Sequence, residues 1–145
     1  MNIIEFSECG ETLAWKKNEN LDFLNHELNF YTEGIIKFSD SQNEIDISIF
    51  LLEFYVELKK KLLIRLGQDN FNDELVAQDS GEYLKLYKNS NVLSLSYKNK
   101  APKIQYNFDT FVNVHLANFE SKLKTQLEFS YPKLKTLTEW RILFG

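Results

Sequence analysis

Residues 82–108 read EYLKLYKNSNVLSLSYKNKAPKIQYNF, and apolar and polar side chains alternate through much of this stretch. Tyr83–Tyr87 and Leu93–Tyr97 each place an apolar residue at every second position, a pattern typical of half-buried strands. The connection Lys88–Asn91 suits a hairpin turn because asparagine tolerates positive φ. After Pro102 the alternation resumes and indicates a third strand. The stretch therefore predicts an antiparallel meander.

A long helix is predicted on the N-terminal side of this meander, over Asp46–Leu66. Gly67 follows it in the usual position of a helix stop. The sequence does not decide where this helix begins, because Ser41–Glu44 forms a potential capping box while Asp46 and Ser48 could each cap a later start. The helix is predicted from apolar residues spaced three or four apart, at positions 47, 50, 51, 54, 58 and 62.

The N-terminal third of the chain gives a weaker pattern. Ile3–Phe6 indicates a short first strand. Alternation on both sides of Thr32–Gly34 predicts a hairpin that pairs Leu28–Phe30 with Ile36–Phe38. The leucines of Leu21–Phe30 also fit helical spacing, so this segment is either strand or helix.

The C-terminal part is predicted to be helical. Asp109 is a plausible cap, and Val112–Leu127 repeats apolar residues every three or four positions. Ser130–Pro132 breaks that helix, and a short last helix follows it. The order of the predicted strands and helices along the chain indicates a single α+β domain over residues 1–145. This domain is predicted to have an antiparallel sheet of about six strands, one long central helix and two C-terminal helices.

Composition narrows the class of protein. The chain has 145 residues, 43% of them hydrophobic, with a formal net charge of −4. This hydrophobic content supports an unaided core, and the negative charge disfavours nucleic acid and anionic membranes as partners. Cys9 is the only cysteine in the sequence, so no intrachain disulfide forms and a cytoplasmic location is expected.

The sequence carries no recognisable catalytic, nucleotide-binding or metal-binding motif. Its two histidines, His26 and His115, lack the spacing of a metal-ligand pair. His115 lies beside the apolar stripe of its helix and is expected to flank the core. Cys9 has no nearby base that would lower its pKa, which favours an inert thiol. We therefore expect a non-enzymatic protein without a cofactor or metal.

The strongest charge feature is a run of acids between Gly67 and Glu82. This segment has no lysine or arginine. One interpretation is a solvated loop between helix and sheet; the other is an acidic surface that binds a basic protein partner. The candidate partner-binding residues are Asp69, Asp73, Glu74, Asp79 and Glu82. A second candidate surface contains Trp15 and the C-terminal Trp140–Phe144, which could equally belong to the core.

The long helix Ile47–Leu66, the hairpin Glu82–Tyr97 and the segment Phe108–Leu127 together resemble small bacterial immunity proteins of polymorphic-toxin and contact-dependent competition systems. The resemblance is one of layout and covers roughly half of the chain. It implies a compact cytoplasmic protein that binds one cognate toxin and blocks its active site. The alternative is a structural or adaptor domain that associates through a sheet edge or its apolar C-terminus, with homodimerisation as one form.

Overall fold

The computed structural model of the chain describes residues 2–6, 13–14, 32–130 and 132. Its strands are β1 (Asn2–Phe6), β2 (Leu13–Ala14), β3 (Glu33–Ser39), β4 (Glu44–Phe50), β5 (Asn70–Ala77), β6 (Glu82–Asn89), β7 (Val92–Tyr97) and β8 (Lys103–Asn107). They form two four-stranded sheets, in the orders β2-β1-β3-β4 and β5-β6-β7-β8. Helix α1 (Leu51–Leu63) joins the sheets. The predicted α+β class is confirmed.

The predicted meander forms most of the second sheet. Strands β6, β7 and β8 pair antiparallel in sequence order. Ser90 and Asn91 connect β6 to β7, and Ser90 takes the positive φ of 52° that the short connection requires. The alternating leucines of this stretch face the core, since Leu84, Leu86 and Leu93 are fully buried.

The central helix is shorter than predicted, because Glu44–Phe50 is strand β4 and α1 begins only at Leu51. In β4 the isoleucines at 45, 47 and 49 alternate with polar residues, and β-branched side chains favour a strand. Positions 47, 50 and 51 also fit a helical period, which explains the error. At the other end, α1 stops at Leu63, before Gly67, and a turn follows it.

The predicted helix caps are also wrong, and Ser41–Glu44 belongs instead to the β3–β4 hairpin. The Asp40 carboxylate in that turn accepts hydrogen bonds from the backbone N–H groups of Gln42 and Asn43. The start of α1 is capped from a distance, because the Thr32 hydroxyl accepts a hydrogen bond of 3.0 Å from the Leu52 N–H. Tertiary contacts therefore set where this helix begins.

The predicted hairpin around Gly34 does not form, because Gly34 lies within β3. Its strand pairs antiparallel with β4 and parallel with β1. The predicted first strand is confirmed as β1. Leu21–Phe30, Ser7–Gly10, Trp15 and the last helix lie outside the described residues.

The C-terminal helical segment agrees with the prediction for Val112–Leu127. It consists of α2 (Phe108–Thr110), a π-helical turn (Phe111–Leu116) and α3 (Ala117–Ser130). Its cap is Asn107, whose side chain accepts a hydrogen bond from the Thr110 N–H at 2.9 Å, instead of the predicted Asp109.

One hydrophobic cluster links both sheets with α1 and α3. Phe54 of α1 lies at its centre, with its ring centroid 5.7 Å from that of Phe38 on β3 and 6.0 Å from that of Phe119 on α3. A polar contact supports the same packing, because Lys59 of α1 donates to the Glu120 carboxylate of α3 at 3.2 Å. These contacts hold α1 against β3 of the first sheet and against α3.

An acidic groove between helix α1 and strand β5

One interpretation of the acidic segment between Gly67 and Glu82 is a solvated loop, but most of the segment is strand. Asp73 and Glu74 lie on β5, and Glu82 begins β6. Asp69 precedes β5, and Asp79 lies in the turn between the two strands. The strand forms because the apolar residues of the segment alternate and face the core; these are Phe71, Leu75 and Ala77.

Three of the five acids contact basic side chains from other parts of the chain. Asp73 accepts from the Arg65 guanidinium at 2.7 Å and from the Lys61 ammonium at 3.4 Å. Lys61 lies in the last turn of α1, and Arg65 lies in the turn that follows the helix. Glu74 lies 3.2 Å from Lys85, its direct neighbour on β6. Glu82 lies 3.4 Å from Lys98. The segment itself has no bases, but the fold brings bases from other parts of the chain next to its acids.

Asp73 is the most firmly bound of these carboxylates. Burial by itself would raise the pKa of the Asp73 carboxyl, but the Glu74 N–H, the Arg65 guanidinium and the Lys61 charge outweigh it, so the pKa is lowered from its usual value. A carboxylate with a lowered pKa stabilises the folded state above its unfolded-state pKa, and this contribution is lost as the pH falls through the folded-state pKa.

We expect Asp73→Asn to lower the free energy of unfolding by about 1 to 2 kcal/mol at pH 7, because it removes a charge-assisted contact at a partly buried site. The difference from the wild type should shrink as the pH falls below about 4. Urea unfolding at pH 7 and pH 3 measures it. Asp69→Asn, at an exposed position just before β5, is the control, and an equal effect of the two variants would contradict this assignment.

Glu53, in the first turn of α1, fixes the turn between β5 and β6. Its carboxylate accepts hydrogen bonds from the Asp79 N–H at 2.8 Å, the Ser80 N–H at 3.0 Å and the Ser80 hydroxyl at 2.7 Å. The Ser80 hydroxyl oxygen also accepts from the Phe50 N–H at 2.9 Å. The turn is thereby attached to the junction of β4 and α1.

A groove of about 460 Å³ lies between the outer face of α1 and β5. Its lining has four carboxylates, those of Glu53, Glu57, Glu74 and Asp79, against the single ammonium of Lys61. Val56 and Val76 add apolar surface, and Val76 is 44% exposed. We call this feature the acidic groove.

The carboxylates of the acidic groove differ in how they are held. Glu53 is buried and bound by the turn. Glu57 and Glu74 each lie near a lysine outside the lining, Lys60 at 3.7 Å and Lys85 at 3.2 Å. Such partly exposed pairs are weak, so the cations of a partner can replace the lysines. The groove therefore combines a fixed framework with acids that can bind cations.

Sequence reasoning found two of the acids in this groove, Glu74 and Asp79, and missed Glu53 and Glu57. The available signal was their spacing of four, which places them on one face of a helix together with Lys61. Asp73 and Glu82 do not line the groove. Asp69 also lies outside it.

The remaining candidate residues do not form a site in the described part of the chain. His115 is buried as predicted, with its ring centroid 5.6 Å from that of Tyr106 and 5.9 Å from that of Phe111. Over the residues that the structure describes, no three His, Cys, Asp or Glu side chains are placed to hold a metal ion. Cys9, His26, Trp15 and Trp140–Phe144 lie outside those residues.

Within the same described ranges, no helix has the length and apolar character required to cross a membrane. Comparison of the chain with protein-family models, with curated proteins and with solved structures finds no match.

Proposed function

We propose that this protein is a bacterial immunity protein, which binds a cognate toxin and occludes its active site without catalysing a reaction. The observation that carries the proposal is the acidic groove, with four carboxylates and one ammonium in its lining. Toxins that act on nucleic acids or other anions need basic substrate-binding surfaces, and an acidic inhibitor is complementary to such a surface.

The proposed contact residues differ from the five acids considered from the sequence alone. Glu74 and Asp79 are retained because they line the groove, and Glu57 joins them from α1. Asp73 and Glu82 are assigned to stabilising the fold, because each is bound by bases of the chain itself. Charges at the rim would speed the encounter with the toxin, while central contacts would set the lifetime of the complex.

The groove would form only part of the contact. Tight inhibition usually requires about 800 Å² of buried surface on each partner, with a few central anchors. The half-buried outer face of α1 and the β5–β6 turn extend the surface around the groove. Val56 and Val76 would supply apolar contacts at its centre.

Co-expression with the product of the adjacent gene in the source genome tests the proposal. The product alone should arrest bacterial growth, and this protein should restore growth and co-purify with it in a one-to-one complex. Reversing charges in the groove with Glu57→Lys and Asp79→Lys should weaken protection. The matched control, Asp46→Lys with Asp109→Lys, changes two exposed acids outside the groove lining. Growth arrest that wild-type protein does not relieve would contradict the proposal.

Self-association is the alternative, and one observation favours it. Leu63, Ile64 and Leu66 are exposed together at the end of α1, and Ile64 is 71% exposed. Clustered exposed apolar residues are typical of contact surfaces. Light scattering during gel filtration decides between a monomer and a dimer, and Ile64→Lys should dissociate a dimer formed through this surface.

A further inference from the structure

Strand β5 is an edge strand whose outer side has no strand partner among the described residues. In the order β5-β6-β7-β8 it pairs with β6 alone. It extends over Asn70–Ala77 and contains no proline. An edge of this length presents backbone N–H and C=O groups to a further strand, apart from the Glu74 N–H, which donates to the Asp73 carboxylate at 2.7 Å.

The acidic groove lies along this outer edge. Its lining comes from α1, β5 and the β5–β6 turn, and none of the lining residues belongs to β6, β7 or β8. Because β6 occupies the inner edge of β5, a groove between β5 and α1 without β6 residues lies on the other side. The two features therefore form one surface, with backbone groups along one wall and acidic side chains around it.

We infer that an extended segment of the toxin, rich in lysine or arginine alternating with apolar residues, binds in the acidic groove and adds to β5 as a fifth strand of the second sheet. This inference rests on the proposed function and specifies its contact. Backbone hydrogen bonds to the β5 edge would supply affinity. Val56 and Val76 would contact the apolar side chains, and Glu57 and Asp79 the basic ones.

Charge argues against a second copy of this chain as the occupant. Antiparallel pairing of β5 with itself would bring together two grooves, each with four carboxylates and one lysine in its lining. Like charges placed opposite each other in a sheet are destabilising. Charge complementarity therefore selects a basic strand.

Two valines provide matched variants. Val76 is 44% exposed and lines the groove, while Val92, at the start of β7, is 42% exposed and lies outside the lining. Replacing either residue by lysine adds the same charge at similar exposure. Only Val76→Lys removes an apolar contact of the groove and places a cation beside the incoming strand.

The first experiment is an NMR titration with the blocked peptide Lys-Val-Lys-Val-Lys-Val-Lys. The peptide should shift the amide signals of β5, and its dissociation constant should be about tenfold higher for Val76→Lys than for wild type or Val92→Lys. The peptide with glutamate in place of lysine should not bind. Shifts confined to other elements, or equal affinity for the two valine variants, would overturn the inference.

The second experiment separates this inference from the proposed function. In the complex with the toxin encoded by the adjacent gene, hydrogen exchange should slow at β5 amides and remain unchanged at β8, the other edge of the sheet. A stable complex without protection of β5 would overturn the strand-addition inference and leave the proposed function standing. Absence of any complex would overturn the proposed function. The peptide titration would then show whether the β5 edge binds a basic strand.

Discussion

Phe54→Ala should lower the free energy of unfolding by about 3 to 5 kcal/mol, the cost of a large cavity in a well-packed core. Phe54 is only 1% exposed. Its ring contacts Phe38 of the first sheet and Phe119 of α3, so its removal loosens the packing of α1 on two sides. Urea unfolding monitored by circular dichroism measures the change.

Phe129→Ala is the matched control, because the same side chain is removed at a position that is 83% exposed. Its effect should stay within about 0.5 kcal/mol. Equal losses for the two variants would mean that Phe54 does not lie at the centre of the core.

Glu53→Ala should lower the free energy of unfolding by about 2 to 4 kcal/mol, since it removes a charged acceptor of three hydrogen bonds. The N–H groups of Asp79 and Ser80 would lose their acceptor. The β5–β6 turn should also become more mobile, which hydrogen exchange at residues 78–81 would detect.

Glu57→Ala, one turn further along α1, is the control for this variant. Among the residues that the structure describes, its carboxylate contacts only Lys60, at 3.7 Å, and partly exposed pairs of this kind contribute about 1 kcal/mol or less. If Glu53→Ala and Glu57→Ala had the same effect, the hydrogen bonds of Glu53 would not hold the turn.

Most of the second sheet could be predicted from the sequence, because its strands pair with strands that are next to them in the chain. Strands β6, β7 and β8 are joined by short turns and alternate regularly, so neighbours in sequence are neighbours in the sheet. The boundary between β4 and α1 could not be predicted, because the helix start is capped by Thr32, twenty residues away. The parallel pairing of β1 with β3 joins segments distant in sequence and leaves no local signal.

Only part of the candidate site could be predicted from the sequence, because some of its residues are close in sequence and others meet only in the fold. The acids of residues 69–82 are visible in the sequence, and Glu74 and Asp79 line the groove. Asp73, Glu74 and Glu82 are bound by bases from other parts of the chain: Arg65 from the turn after α1, Lys85 from β6 and Lys98 from the β7–β8 connection. Glu53 and Glu57 belong to the same surface only because α1 packs beside β5.

The association rate with the toxin encoded by the adjacent gene, measured at two salt concentrations, tests the central claim most directly. Glu57→Gln with Asp79→Asn removes two acids of the groove. We predict an association rate about three- to tenfold lower than that of wild type at low salt, with a weaker salt dependence, because these charges steer the encounter.

Asp46→Asn with Asp109→Asn changes the net charge equally at exposed positions outside the groove lining. If the toxin binds at the acidic groove, this control keeps the wild-type rate and salt dependence, and only the groove variant loses them. Equal rates for the two double variants would contradict the account, because the effect of charge would then belong to the whole protein and not to the groove.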